Sequence, residues 1–414
     1  MTQAPVHTVD DTAGFTLVPN PLARREAPWT AEQEAILSAA GLSAARDAIS
    51  RWPGYDETPL VALPGLAREI GIAALLYKDE SARFGLGSFK ALGGAYAVAR
   101  LLQREIETAL GHPVPTAEIV DGAHADLAAD ITVCCATDGN HGRSVAWGAQ
   151  AFGCRCVIFI HATVSEGRKR TIEFYGAEVR RCAGNYDDSV REAQATATRE
   201  GWYVVSDTSY PGYLDIPKDV MQGYEVMAAE AFDRFDLPPS HVFLQTGVGG
   251  MAAAVTAHAK RRWGADRPTI VLCDPDRSAC WLESIRAGRP KAVEGDLDTI
   301  MAGLACGEVS LLAWDILKTH ADAVMALPDA SAIAGMRRLA SPQAGDPPLV
   351  AGESAVAGLA GLVAAMADPG ARAALGLGPG SQVLLFGTEG DTDPDLYAEI
   401  VGRTADEVRS GGGG

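Results

Sequence analysis

Positive charge is scarce in this chain. Its 414 residues include 35 Lys and Arg against 53 Asp and Glu, a net charge of -18. A field of that sign repels nucleic acid and anionic membrane surfaces and favours solubility. An anionic ligand must therefore be held by local backbone donors. Long apolar runs are also missing, and no uncharged stretch is long enough to span a bilayer. Residues 1–25 lack a basic stretch followed by an apolar core, so no signal peptide is expected and the expected location is cytoplasmic. The eight cysteines are Cys134, Cys135, Cys154, Cys156, Cys182, Cys273, Cys280 and Cys306, with no CxxC spacing among them. That argues against a zinc cluster or a small-domain disulfide framework, and no metal site is expected. Most of these thiols stand in apolar strand-like runs, where free cysteine acts as a small hydrophobe. Cys280 and Cys306 fall in loop-like segments and are the pair a disulfide would suit, although a cytosolic setting argues against the bond. No internal repeat is visible.

With 47% hydrophobic and 21% charged residues, the chain can bury a full core, and its length suggests two domains. Short β-branched runs alternate with helical ones. Strands are expected at 72–77, 131–136, 157–160, 178–182, 202–206, 241–245, 269–273 and 382–386. Helices are expected at 140–151, 166–175, 187–200 and 250–263. This alternation predicts an α/β fold of mostly parallel twisted sheets flanked by helices. The βα units of 100–205 suggest a small inserted domain, with 1–99 plus 206–414 forming the larger one. The Gly111 to Asp130 stretch, rich in small, acidic and turn-forming residues, looks like a surface insertion.

Four strand-to-helix turns carry chemistry. The first is Gly87-Ser88-Phe89-Lys90, followed by Ala91-Leu92-Gly93-Gly94-Ala95. It sets one lysine at the start of a helical run, where an amine can form a Schiff base with an aldehyde cofactor and small neighbours leave room for a ring. The second, Thr137-Asp138-Gly139-Asn140-His141-Gly142, presents helix-start N–H groups that suit a substrate carboxylate. Asn140 can hydrogen-bond a ring hydroxyl, Asp138 adds a carboxylate, and His141 reads as a packing residue. The third, Thr246-Gly247-Val248-Gly249-Gly250-Met251, is a phosphate cradle of successive N–H donors at a helix N-terminus. No Gly-Lys-Ser/Thr follows it, so it is not a Walker loop, and its third glycine is misplaced for dinucleotide binding. The fourth, Gly387-Thr388-Glu389-Gly390-Asp391-Thr392-Asp393, puts a hydroxyl and several acids at a strand's carboxyl end, where ligands of open α/β sheets bind. Those acids could equally cap helices.

One ligand would use all four turns: pyridoxal 5′-phosphate (PLP). Lys90 would bind its aldehyde, Gly247 to Gly250 its phosphate, Asn140 its ring hydroxyl and Thr388 its ring nitrogen. Ser88-Phe89-Lys90, Gly139-Asn140-His141-Gly142 and Gly247-Val248-Gly249-Gly250 resemble, in order and spacing, the motifs of fold-type II (tryptophan synthase β-like) PLP enzymes. Within that group the segments Tyr77-Lys78-Asp79-Glu80-Ser81-x-Arg83-Phe84-Gly85-Leu86, Thr137 to Arg143, Thr299-Ile300-Met301-Ala302-Gly303-Leu304-Ala305-Cys306-Gly307-Glu308 and Thr388 to Asp393 resemble those of diaminopropionate ammonia-lyases. The similarity runs from about Tyr55 to Tyr397.

The resemblance implies an active site in the crevice between two domains, a homodimer, and elimination of ammonia from D- or L-2,3-diaminopropionate to give pyruvate and two ammonia. It implies Lys90 as the base for one enantiomer, Asp138 as the base on the opposite face, and Asp207 as a carboxylate that orients the β-amine or assists Asp138, with a turn or cap role as the plainer alternative. Phe89 and Met251 flank the cofactor segments. The alternative on the same scaffold is a serine/threonine-type dehydratase or another β-elimination or β-replacement enzyme. The partner expected is a small amino-acid substrate, with neither nucleic acid nor membrane.

Overall fold

The computed structural model describes residues 14–137, 139–162, 164–184, 186–342 and 345–411. Asp138 lies outside the described residues. In chain order the strands are β1 (Thr16–Pro19), β2 (Leu60–Ala62), β3 (Ala74–Asp79), β4 (Thr132–Ala136), β5 (Arg155–Ile160) and β6 (Glu178–Arg181). They continue with β7 (Tyr203–Val204), β8 (His241–Gln245), β9 (Thr269–Pro275), β10 (Ala323–Leu327) and β11 (Gln382–Gly387). The chain forms two units. One takes the described residues of Met1–Gln33, Thr58–Ala82 and Ala228–Gly414, and the other takes Glu34–Glu57 and Arg83–Met227.

The first unit is built on a seven-stranded sheet of order β1-β10-β9-β8-β11-β3-β2. Its five inner strands run parallel, and the edge strands β1 and β2 are antiparallel to their neighbours. All five residues of β8 are buried, as a central parallel strand covered on both faces requires. The core around the sheet includes Leu17, Tyr77, Phe243, Val271, Met325 and Leu362. Because β8 and β11 are parallel neighbours, with Val383 opposite His241 and Leu385 opposite Phe243, their carboxyl ends emerge side by side. The turns at 246–250 and 387–393 therefore share one end of the sheet.

The second unit has a four-stranded, all-parallel sheet of order β6-β5-β4-β7. A smaller core of Cys134, Val157, Phe159, Cys182, Ala193 and Ala197 packs on it. Its bounds differ from the expected 100–205. The Lys90–Leu110 helix lies with this unit because glycines let neighbouring helices close on it. A Cβ at Gly94 would overlap Ser144 of the Asn140–Phe152 helix, one at Gly93 would overlap Tyr224, and one at Gly223 would overlap the Leu92 carbonyl. The small residues after Lys90 thus serve helix packing.

All eight cysteines are free thiols. Residues 111–130 fold into the short helices Thr116–Val120 and Ala125–Ala129. Among the described residues no helix is long and apolar enough to cross a membrane.

Candidate active site

Lys90 is the first residue of the Lys90–Leu110 helix, with Phe89 at the N-cap position and no side-chain cap. The helix macrodipole disfavours a cation there by about 0.3–1 kcal/mol. Asp207 offsets this, with its Oδ2 2.6 Å from Lys90 Nζ. The Phe89 and Tyr224 rings, 4.6 Å apart, wall the ammonium, which sits 5.4 and 5.6 Å from their centres. About a fifth of each partner of the ion pair remains exposed, so the pair can meet a ligand.

Asp207 follows β7 on a loop fixed by Tyr213. The Tyr213 hydroxyl accepts from Ser206 N at 3.0 Å and donates to Val204 O at 2.7 Å, while its ring stacks on Tyr210. Burial alone would raise the Asp207 carboxyl. Lys90 and His141 beside it outweigh burial and hold it well below the usual carboxylate range. His141 is buried, its Nε2 donates to Val205 O at 2.8 Å, and its Nδ1 stands 3.9 Å from Asp207 Oδ2. One and three residues on from the end of β7, Val205 and Asp207 are thereby tied to the turn that carries Asn140. In that turn, Thr137 Oγ1 accepts from Gly139 N and Gly142 N. Arg143 Nη2 donates to Asn140 Oδ1 at 2.6 Å, which orients the Asn140 amide with Nδ2 as its donor end.

In the first unit, β8 ends at Gln245 and the Gly250–Trp263 helix begins five residues later, with Gly249 in a left-handed N-cap conformation (φ +100). Gly247 is also left-handed (φ +54). The Gly249 N–H donates to Thr246 O at 3.0 Å and closes the turn, and the first helical N–H groups beyond it have no intrahelical acceptor. Trp281 braces it from below. The indole Nε1 donates to Gly247 O at 3.0 Å, and a Cβ at Gly249 would overlap the indole ring. Asp274, fully buried at the end of β9, accepts from Trp281 N at 3.0 Å and from the Thr246 hydroxyl. Burial pushes its carboxyl up to about 7 against the pull of these donors. The 299–308 segment packs here too. A Cβ at Gly247 would lie 3.2 Å from Gly303 O and 3.6 Å from Cys306 Sγ, and Ser278 Oγ donates to Leu304 O.

Thr388, directly after β11, is buried and accepts a hydrogen bond from Gln245 Nε2 at 2.7 Å. The acids of that turn have structural duties. Glu389 Oε1 accepts from Ser354 N, Asp391 pairs with Arg409, and Asp393 caps the Pro394–Val401 helix. Lys78 of the Tyr77–Leu86 segment is likewise structural, buried against Glu230 at 2.6 Å.

Each unit therefore groups its predicted residues. Lys90, Phe89, Asn140 and Asp207 cluster in one, and Gly247, Val248, Gly249, Gly250, Met251 and Thr388 in the other. Sequence reasoning missed Gln245, Asp274, Trp281, Tyr213 and Tyr224. Only Gln245 and Asp274 left a signal, as polar residues ending or interrupting apolar strands. The donor set fits PLP: a lysine amine, an amide donor, a neutral hydroxyl and an anion seat whose glycines a Cβ would destroy.

A family model described as pyridoxal-phosphate dependent enzyme matches residues 51–388, in agreement with these half-sites, and PLP is the cofactor of that class. The chain is 38% identical over 383 residues to diaminopropionate ammonia-lyase of Escherichia coli strain K12, covering 90% of this chain and 94% of that one. It is also 38% identical over 367 residues to the Salmonella typhimurium strain LT2 enzyme of the same name, with 85% and 90% covered. The crystal structure of the holo Escherichia coli enzyme matches with a TM-score of 0.85 at 35% identity, covering 96% of this chain and 98% of the other. The chain belongs to the diaminopropionate ammonia-lyase family.

Proposed function

We propose that the protein eliminates ammonia from 2,3-diaminopropionate, which with one water gives pyruvate and two ammonia. The observation that carries this reading is Asp207, ionised and 2.6 Å from Lys90. Lys90 Nζ holds the cofactor at rest and, as a free amine, takes the substrate's Cα proton. PLP, when bound, supplies an electron sink for the negative charge left at Cα. Asp207 accepts a charge-assisted hydrogen bond from the substrate's β-ammonium, a bond that the hydroxyl of serine cannot match. Keeping that nitrogen protonated lets it leave as neutral ammonia. The released enamine then hydrolyses in water to pyruvate and the second ammonia.

Asn140 Nδ2 serves the ring hydroxyl, Thr388 the ring nitrogen, and the 246–251 turn the phosphate. Asp138 is assigned as the base for the enantiomer that Lys90 does not serve, a role supported by the family resemblance of Thr137 to Arg143. The enzyme acts as a cytoplasmic homodimer. Eight free thiols support the reducing compartment, and the common habit of fold-type II enzymes supports the dimer.

Product analysis with D- and L-2,3-diaminopropionate beside D- and L-serine tests the reading. Two ammonia per pyruvate from the diamino acid, with serine a poor substrate, is expected. Preferential turnover of serine, with one ammonia per pyruvate, would assign a dehydratase instead.

A further inference from the structure

Tyr224, on the Asp215–Phe232 helix, is 1% exposed, and its hydroxyl has no hydrogen-bond partner among the described residues. A buried phenol usually finds one, because an unpaired polar group cut off from water is costly. The position of the ring has a clear cause. Gly93 has no side chain to hold it off, so it lies against the first turn of the Lys90–Leu110 helix, 4.6 Å from the Phe89 ring. Lys90 Nζ stands 5.6 Å from the centre of the Tyr224 ring. Burial pushes the phenol well above its ordinary range, Lys90 pulls it down, and Asp207 pushes it up. The hydroxyl thus stays protonated and neutral beside the lysine of the site, while Asp207, itself flanked by His141, holds the ammonium at 2.6 Å.

An ion pair favours the charged form of an amine, so a lysine held by Asp207 is a poor base. The same Asp207 is assigned to the substrate's β-ammonium. Resting on that reading of Lys90 and Asp207, we propose that Tyr224 is a positioning residue that acts through Lys90. As Asp207 turns to the substrate, the Tyr224 oxygen accepts the N–H that Lys90 withdraws from the carboxylate. The exchange replaces an anionic acceptor by a neutral one, which favours the charged amine less, so Lys90 stays a neutral amine until it takes the Cα proton. The phenol oxygen keeps that amine, on its flexible four-carbon stem, in place. It receives a stronger hydrogen bond once the nitrogen is charged. A hydroxyl without a partner at rest is what such an exchange requires.

The test titrates Lys90 through its reaction with PLP, which needs the neutral amine, in the full chain stripped of cofactor. Asp207→Ala mimics the departed carboxylate. Adding Tyr224→Phe to it should lower the pH midpoint of the reaction by about 1–2 units, the worth of one hydrogen bond to a charged group. With Asp207 in place, Tyr224→Phe should move the midpoint by less than about half a unit. No shift in the Asp207→Ala pair, or equal shifts in both backgrounds, overturns the inference. Borohydride adducts on an amine other than Lys90 would instead overturn the site reading beneath it. Should Asp207→Ala not fold, Tyr224→Phe alone remains decisive, since it keeps the ring and its packing. Its kcat for diaminopropionate should fall about tenfold, with KM little changed and a larger isotope effect from deuterium at Cα. An unchanged kcat and isotope effect would overturn the proposal.

Discussion

Alanine at Gly249 would load the phosphate turn in two separable ways. The first is conformational. Gly249 has φ +100, and holding a residue with a Cβ in such a sparsely populated region costs about 1–3 kcal/mol. The second is steric. The new methyl would overlap the Trp281 ring and come within 3.1 Å of Ala313 Cβ. Trp281 cannot swing aside cheaply, because its indole Nε1 is held by Gly247 O and its main-chain N by Asp274. Overpacking of that kind adds about 1–3 kcal/mol. The two together give about 2–6 kcal/mol, lost from folding stability, from PLP affinity, or shared between them.

Urea unfolding of the PLP-loaded protein and an equilibrium PLP titration measure both parts. If the smallest loss fell wholly on affinity it would weaken binding about thirtyfold. Gly376→Ala is the control. Gly376 is also left-handed (φ +70) but has nothing within 4 Å of an added Cβ, so it should cost only about 1–2 kcal/mol and leave PLP affinity alone. A Gly249→Ala protein within about 0.5 kcal/mol of the original in both assays would refute the braced anion seat.

Asp207→Asn removes the charge from the hydrogen bond offered to the substrate's β-ammonium. Diaminopropionate kcat/KM should fall about fivefold to tenfold more than serine kcat/KM, the difference between charged and neutral hydrogen bonds; equal losses would remove Asp207 from substrate selection. Asp138→Asn should lower turnover of one enantiomer of diaminopropionate far more than the other, and steady-state rates with each isomer would show equal losses if Asp138 were not a face-specific base. Asp274 gives a pH signature. Its carboxyl is raised from 3.8 to about 7 by burial, so the stability it contributes is fully present below pH 3.8 and is lost as pH rises through about 7. Asp274→Asn removes that dependence. The stability of the original relative to the variant should therefore drop by roughly 4 kcal/mol across the window, at about 1.4 kcal/mol per pH unit. Parallel urea unfolding curves at each pH would count against a buried, raised carboxyl.

The parts of this fold that could be read from sequence were those whose signal is local. β8 and the Gly250–Trp263 helix begin and end where periodicity places them, because a fully apolar parallel strand and a glycine turn are both written in consecutive residues. β1, β2 and β10 were missed. β2 has three residues, and the Ala-Val-Met-Ala-Leu run of β10 is as compatible with a helix as with a strand. The unit boundary was misplaced for a longer-range reason. Nothing near Gly93 and Gly94 announces that Tyr224 and Ser144 will lie against them. The site shows the same division. Lys90, Asn140, the 246–251 turn and Thr388 sit at strand-to-helix turns, where consecutive residues alone suggest them as candidates. Trp281 braces Gly247 from 34 residues away and Tyr213 fixes the Asp207 loop, so both became visible only once folded.

Lys90 as the amine that carries PLP underlies every chemical step proposed here. Borohydride reduction of the PLP-loaded protein followed by peptide mapping tests it directly. A single pyridoxyl adduct on Lys90 is the expected result. An adduct on any other amine, or a protein that binds PLP without forming a reducible bond, would contradict it.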